Sequence, residues 1–170
     1  MSVAQYNIAF AERLAETAQM VAAQGLEALD AQRTVLYLSL LSMEIAMKAM
    51  LERAGIPIAE IRGRSHRLSE LLIDLSGCEI RLDVAGSEQY VPASRLRACP
   101  LVLGSAESTV GTVIDAERQG ASKYPNQVRY GDLLHHFPAD VVSGAALETA
   151  RFAREHWDSL RVKSGTRHPP

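Results

Sequence analysis

Leu36-Tyr37-Leu38-Ser39-Leu40-Leu41-Ser42-Met43-Glu44-Ile45-Ala46-Met47-Lys48-Ala49-Met50-Leu51 is apolar along nearly its whole length, with Glu44 and Lys48 its only charges. Such a run predicts a helix buried on most of its faces. Its length and its Leu and Met content also raise the reading of a membrane span, and the two charges decide the matter. Four residues apart, glutamate before lysine, they share one helix face as a favourable pair, whereas placing both near a bilayer centre is costly. The expectation is the central helix of a soluble core. Asp30 is placed to cap its start, and Gly55 followed by Pro57 supplies its stop, because Gly accepts the left-handed C-terminal conformation and Pro cannot continue the hydrogen-bond ladder.

Working outward, residues Ala4 to Leu29 are rich in Ala, Glu, Gln and Leu, and Ile8, Leu14, Ala18, Val21 and Ala22 form an amphipathic stripe. Two long antiparallel helices follow. A third is predicted from Ser65, carrying Leu68, Leu71, Leu72 and Leu75 toward the core before Gly77. Ile80, Leu82 and Val84 alternate with Glu79, Arg81 and Asp83, the period of a half-buried strand. With Tyr90, Val91 and Leu101-Val102-Leu103 they read as a small hairpin inserted between helices. Ser105 to Arg118 reads as a return to helix, weakened by Gly111 and by β-branched Thr109, Val110, Thr112 and Val113. Gly120 to Pro138 reads as a loop. A last helix from Ala139 or Asp140 carries Val142, Ala146, Thr149, Ala150, Ala153, Trp157 and Leu160 against the central helix. Beyond Leu160 the chain is polar and basic, and residues 161–170 are expected to be a mobile tail.

The chain has 170 residues, 47% of them hydrophobic, which suits one domain over residues 1–160 rather than two independent ones. A net charge of −2 gives no global signature of a nucleic-acid or membrane binder, so any such surface must be local. Cys78 and Cys99 lie far apart with no Cys-x-x-Cys or Cys/His cluster, which argues against zinc and fits a reducing cytoplasm. Glu12 and Arg13 interrupt the N-terminal segment early, so it lacks the apolar core of a secretion signal.

Ser42-Met43-Glu44-Ile45-Ala46-Met47-Lys48-Ala49-Met50-Leu51, then Gly55, then His66-x-Leu68 with Glu70-Leu71-Leu72, resemble the HEPN domains of prokaryotic helical proteins. Tyr124-Pro125 to Arg129-Tyr130, followed by an Ala-containing final helix, is similar to the end of these domains. The resemblance implies an all-α, up-and-down bundle of four or five helices, here with an irregular or β-hairpin insertion around residues 79–104. It also implies a homodimer, often encoded near a nucleotidyltransferase or in defence and toxin–antitoxin systems, and for many members a metal-independent RNase with Arg placed four to six residues before His.

Arg151 and His156 fit that spacing, with His156 as the proton-transfer candidate and Arg151 as the phosphate holder. Arg129 with His135 or His136, and Arg161 with His168, fit it too. A separation of five also sets two side chains well apart around a regular helix, and the alternative reading makes Arg151 and His156 ordinary polar groups on the helix surface. Candidate RNA contacts are the basic segment Arg62, Arg64, His66 and Arg67, and the stacking and phosphate groups Tyr124, Arg129 and Tyr130. Helix capping and loop packing are the structural readings of the same residues. Glu44 and Lys48 read either as the lining of a groove or as an ion pair fixing helix register.

There is no Walker loop, no Gly-x-Gly-x-x-Gly after a strand, no Gly-x-Ser-x-Gly and no His-Glu-x-x-His. No metal site and no cofactor is therefore expected. The leading expectation is a HEPN-like RNA-associated or accessory protein of a defence or toxin–antitoxin system, with RNase activity open. The second is a non-catalytic helical dimerisation or interaction module binding a protein partner or small ligand.

Overall fold

The apolar run folds as part of α2, Leu29–Ala54, with thirteen of its residues buried. The chain is described by a computed structural model over residues 4–102, 108–119, 124–130 and 135–163. By length and composition α2 could cross a membrane, yet 72% of its most apolar window is buried within the fold. Gly55 closes it in the left-handed region at φ 105°, its N–H bonded to the Glu52 carbonyl. Asp30 is not the cap. Ala28 holds that position without a side-chain bond, and Asp30 lies in the first turn, where a carboxylate faces the helix dipole.

α1, Ile8–Ala23, starts at Asn7, whose side chain accepts the Phe10 N–H at 3.2 Å. It buries Ala11, Ala15 and Ala18, small residues that let α2 approach closely enough for Ser42 Oγ to donate to the Ala11 carbonyl at 2.7 Å. α7, Ala139–Glu155, buries Val142, Ala146, Thr149, Ala150 and Ala153 and packs on both α1 and α2. Met43, Met47, Met50 and Leu51 of α2 are fully enclosed, and trimming one of them to alanine would cost roughly 2–5 kcal/mol.

Between α2 and α7 lie short elements: α3 (Ile58–Gly63), α4 (Leu68–Asp74), α5 (Val110–Asp115) and α6 (Asn126–Tyr130). The expected third helix is α4, and Leu68, Leu71, Leu72 and Leu75 are all buried. α3 is an addition, seating Ile61 in the core. Gly111 within α5 has a packing reason: a Cβ there would lie 2.8 Å from the Arg97 carbonyl.

The alternating segment is β1, Cys78–Val84, and it pairs antiparallel with β2, Ser87–Pro92, across Ala85-Gly86, both at positive φ. Two expectations fail here. Leu101 and Val102 do not join the sheet; Leu101 N–H bonds to the Ser108 carbonyl instead, Val102 is exposed, and Leu103 lies outside the described residues. The third strand is β3, Leu160–Val162, on the other edge of β1, giving the order β2-β1-β3. The basic tail is thus anchored where it begins: Arg161 bonds Glu79 at 2.8 Å and stacks 3.8 Å over Tyr90, and Lys163 N–H reaches the Gly77 carbonyl. Residues 164–170 lie outside the described residues. Trp157 and Leu160 fall beyond α7 because the chain leaves the helix at His156. The fold is mostly helical with a small three-stranded antiparallel sheet, a helical fold carrying a β insertion.

Candidate functional site

Glu44 and Lys48, one turn apart on α2, are only 5% and 6% exposed and form an ion pair at 2.7 Å through Oε1. The second oxygen, Oε2, lies 2.9 Å from His66 Nδ1. His66 reaches it because Gly55 ends α2, α3 packs back on the core, and Ser65 takes the left-handed conformation at φ 51°, reversing the chain before α4. From the far side comes Tyr124, buried, its phenol hydrogen-bonded with Glu44. It is held by α6, where Val128 is buried and Arg129 N–H bonds to the Pro125 carbonyl. One carboxylate therefore receives three partners, from α2, from the α3–α4 turn and from the segment before α6, within the roughly four lone-pair positions it offers.

A carboxylate only accepts, so His66 Nδ1 is the donor toward Glu44. The His66 side chain is 49% exposed, so the imidazole bridges a buried anion and the surface. Burial, and then the Glu44 charge, pushes the Tyr124 hydroxyl far above its ordinary value, which keeps it a neutral donor. The His66 and Tyr124 rings meet edge to face at 5.8 Å, Tyr124 and Tyr37 at 5.9 Å, and the Arg129 guanidinium lies 4.7 Å over Tyr37, bonding its hydroxyl. Imidazole, two phenols and an exposed guanidinium thus form one row. Lys48 Nζ also lies 5.5 Å from the Tyr6 ring.

The row unites three of the residues the sequence singles out, His66, Tyr124 and Arg129, with Glu44 and Lys48. Tyr37 was missed, although its seven-residue spacing from Glu44 places it two turns away on the same face of α2. The remaining candidates go elsewhere. Arg64 is paired in a fork to Asp74 at 2.6 and 2.9 Å, Arg67 to Glu70 at 2.7 Å, and Arg62 donates to Gln5 at 2.9 Å. The basic segment is therefore largely neutralised by neighbouring carboxylates. Tyr130 is exposed at the end of α6, beside Arg129 in sequence.

Arg151 and His156 sit at the end of α7 with different partners. Arg151 pairs with Glu148 at 2.9 Å beside Glu12 and Glu16, while His156, the C-cap residue, packs edge to face on Phe152 at 4.6 Å. Burial pushes the His156 imidazole below its ordinary value, opposed by Glu155 and aided by Arg95. His135 is buried and its Nδ1 accepts the Phe137 N–H at 3.1 Å. Burial, with His136 nearby, pushes it down to about 4. A cavity of about 100 Å³ between α3, α4 and β3 is lined by Ile61, Arg64, Asp74 and Val162, apart from the row. In comparisons with known proteins, no family model, no curated protein and no solved structure matches this chain.

Proposed function

We propose that this chain is a HEPN-like RNA-associated protein, a helical bundle acting as a cytoplasmic homodimer, with a nucleotidyltransferase-type partner in a defence or toxin–antitoxin setting. The observation that carries the reading is the meeting of Glu44, Lys48 and His66 with Tyr124 and Arg129, because these are the two separated parts of the HEPN resemblance. Arg129 and the tyrosines supply what single-stranded RNA needs, a phosphate contact and aromatic faces. The alternative is a non-catalytic interaction module. It is favoured by Arg151 being bound to Glu148 and His156 being packed on Phe152.

The test is binding of a fluorescent single-stranded RNA oligonucleotide at several salt concentrations. The expected result is affinity that falls with salt, since phosphate contacts release counterions, and that drops in Arg129→Ala with a slope shallower by about one. No binding at low salt would remove the RNA reading and leave the interaction module. Light scattering at micromolar concentration tests the dimer.

A further inference from the structure

We infer that the cavity between α3, α4 and β3 binds a short primary alkylammonium, with its chain inward and its ammonium at the rim. This goes beyond the RNA reading and does not depend on it. Three separate parts of the chain build the cavity: α3 supplies Glu60 and Ile61 and is followed by Arg64, α4 ends in Asp74, and β3 supplies Val162. Burial grades across it. Ile61, 1% exposed, forms the floor, Ile56 and Val162 are half-buried, and Glu60 lies at the surface. Between these extremes stand the side chains of Asp74 and Arg64, 26% and 43% exposed. A ligand that suits both ends has an aliphatic tail and a charged head. A protein cavity of roughly 150 Å³ accepts benzene, so this one, about 100 Å³, accepts a tail of about four carbons.

The rim decides the sign of the head. Two carboxylates, Glu60 and Asp74, line the cavity with one guanidinium, Arg64, so negative charge is in excess. All three guanidinium nitrogens are turned to carboxylates, Nε and Nη2 to Asp74 at 2.6 and 2.9 Å and Nη1 to Glu70 at 3.5 Å. An anionic head would compete with Asp74 and Glu70 for those donors and meet their repulsion. A cationic head finds acceptors instead. The fork takes one position on each Asp74 oxygen, and a carboxylate offers about four. An ammonium brings three donors to that oxygen pair, and Glu60 adds attraction from the surface. Because the head stays at the rim, it keeps part of its hydration, which spares most of the cost of burying an ion.

The experiment titrates the full chain, isotope-labelled at its isoleucine and valine methyls, with n-butylammonium chloride, 1-butanol or sodium butyrate at constant ionic strength, and follows the methyl resonances. Expected are saturable shifts at Ile61 and Val162 with n-butylammonium, binding about tenfold weaker with 1-butanol, and no saturation with butyrate. Asp74→Asn, which keeps the shape and removes the charge, should weaken n-butylammonium about tenfold, and Glu60→Gln about two- to fivefold. Val162→Phe fills the space for the tail and should abolish saturation, with a thermal melt showing each variant folded. Shifts that never saturate with n-butylammonium, or equal or tighter binding of 1-butanol or butyrate, overturn the inference. So does an unchanged affinity in folded Asp74→Asn. The ligand series uses the wild-type chain and therefore decides the matter even where a variant fails to fold.

Discussion

Three of the described histidines, His66, His135 and His156, are held in two contrasting ways. His66 lies half in solvent, bonded to a buried carboxylate that also takes a lysine and a tyrosine. His135 is buried and His156 half-buried, one receiving a backbone N–H and the other resting on a phenyl ring. The first arrangement holds Nδ1 as a donor to an anion. The second penalises the charged form, and so turns acidity into instability rather than reactivity. Arg151 and His156 match a linear motif, while Glu44 and His66, 22 positions apart, make the actual hydrogen-bonded pair.

The largest effect that would sharpen this contrast is at Glu44. Glu44→Ala leaves Lys48 buried without its anion, and stability should fall by about 3–5 kcal/mol in urea denaturation. The double change Glu44→Leu with Lys48→Met should be much milder, since both buried charges go together. A double variant as unstable as the single one would show that Glu44 acts through shape and not charge.

Acid should act next, and on the other arrangement. His135 titrates near 4 in the fold against an ordinary value of 6.5, so the unfolded chain binds the proton first. Its contribution is complete above pH 6.5 and is lost as pH falls toward 4, roughly 3 kcal/mol in all. Denaturation curves of wild type and His135→Leu between pH 7 and pH 4 check this. The variant should lose the Phe137 bond at pH 7 and show a flatter acid response; an equally steep response would place the acid sensitivity elsewhere.

Tyr124→Phe removes one donor to Glu44 while keeping the ring, and a loss of about 2 kcal/mol is expected for a hydrogen bond to a charged group. A thermal melt unchanged from wild type would take Tyr124 out of the network. Smallest of all is Arg151→Ala. Its side chain is 54% exposed beside Glu148, and a change within about 0.5 kcal/mol is expected. A cost comparable to that of Glu44→Ala would erase the difference between the two regions.

The sequence was legible where structure is local. The buried middle of α2, the Gly55 stop, the leucine face of α4 and the alternation in β1 all follow from neighbours within a few residues. It misled where a partner is distant. Leu101 and Val102 have the composition of a strand, yet the edge of β1 goes to Leu160–Val162, some eighty positions away. Sequence counted Arg62, Arg64 and Arg67 as a basic patch, but Gln5, Glu70 and Asp74 occupy them. Of the candidate site, Glu44, His66, Tyr124 and Arg129 are legible as separate signals, without Tyr37 and without the hydrogen bonds that join them.

By itself, the sequence determined a central helix with one charged pair on its face, because a four-residue spacing and the rarity of charge in an apolar run are properties of the chain alone. Only the tertiary structure decided what that pair is for. The reversal at Ser65 and the seating of Val128 in the core deliver an imidazole and a phenol to the same carboxylate, and hydrogen bonds of this length depend on ångström placement that no spacing along the chain encodes.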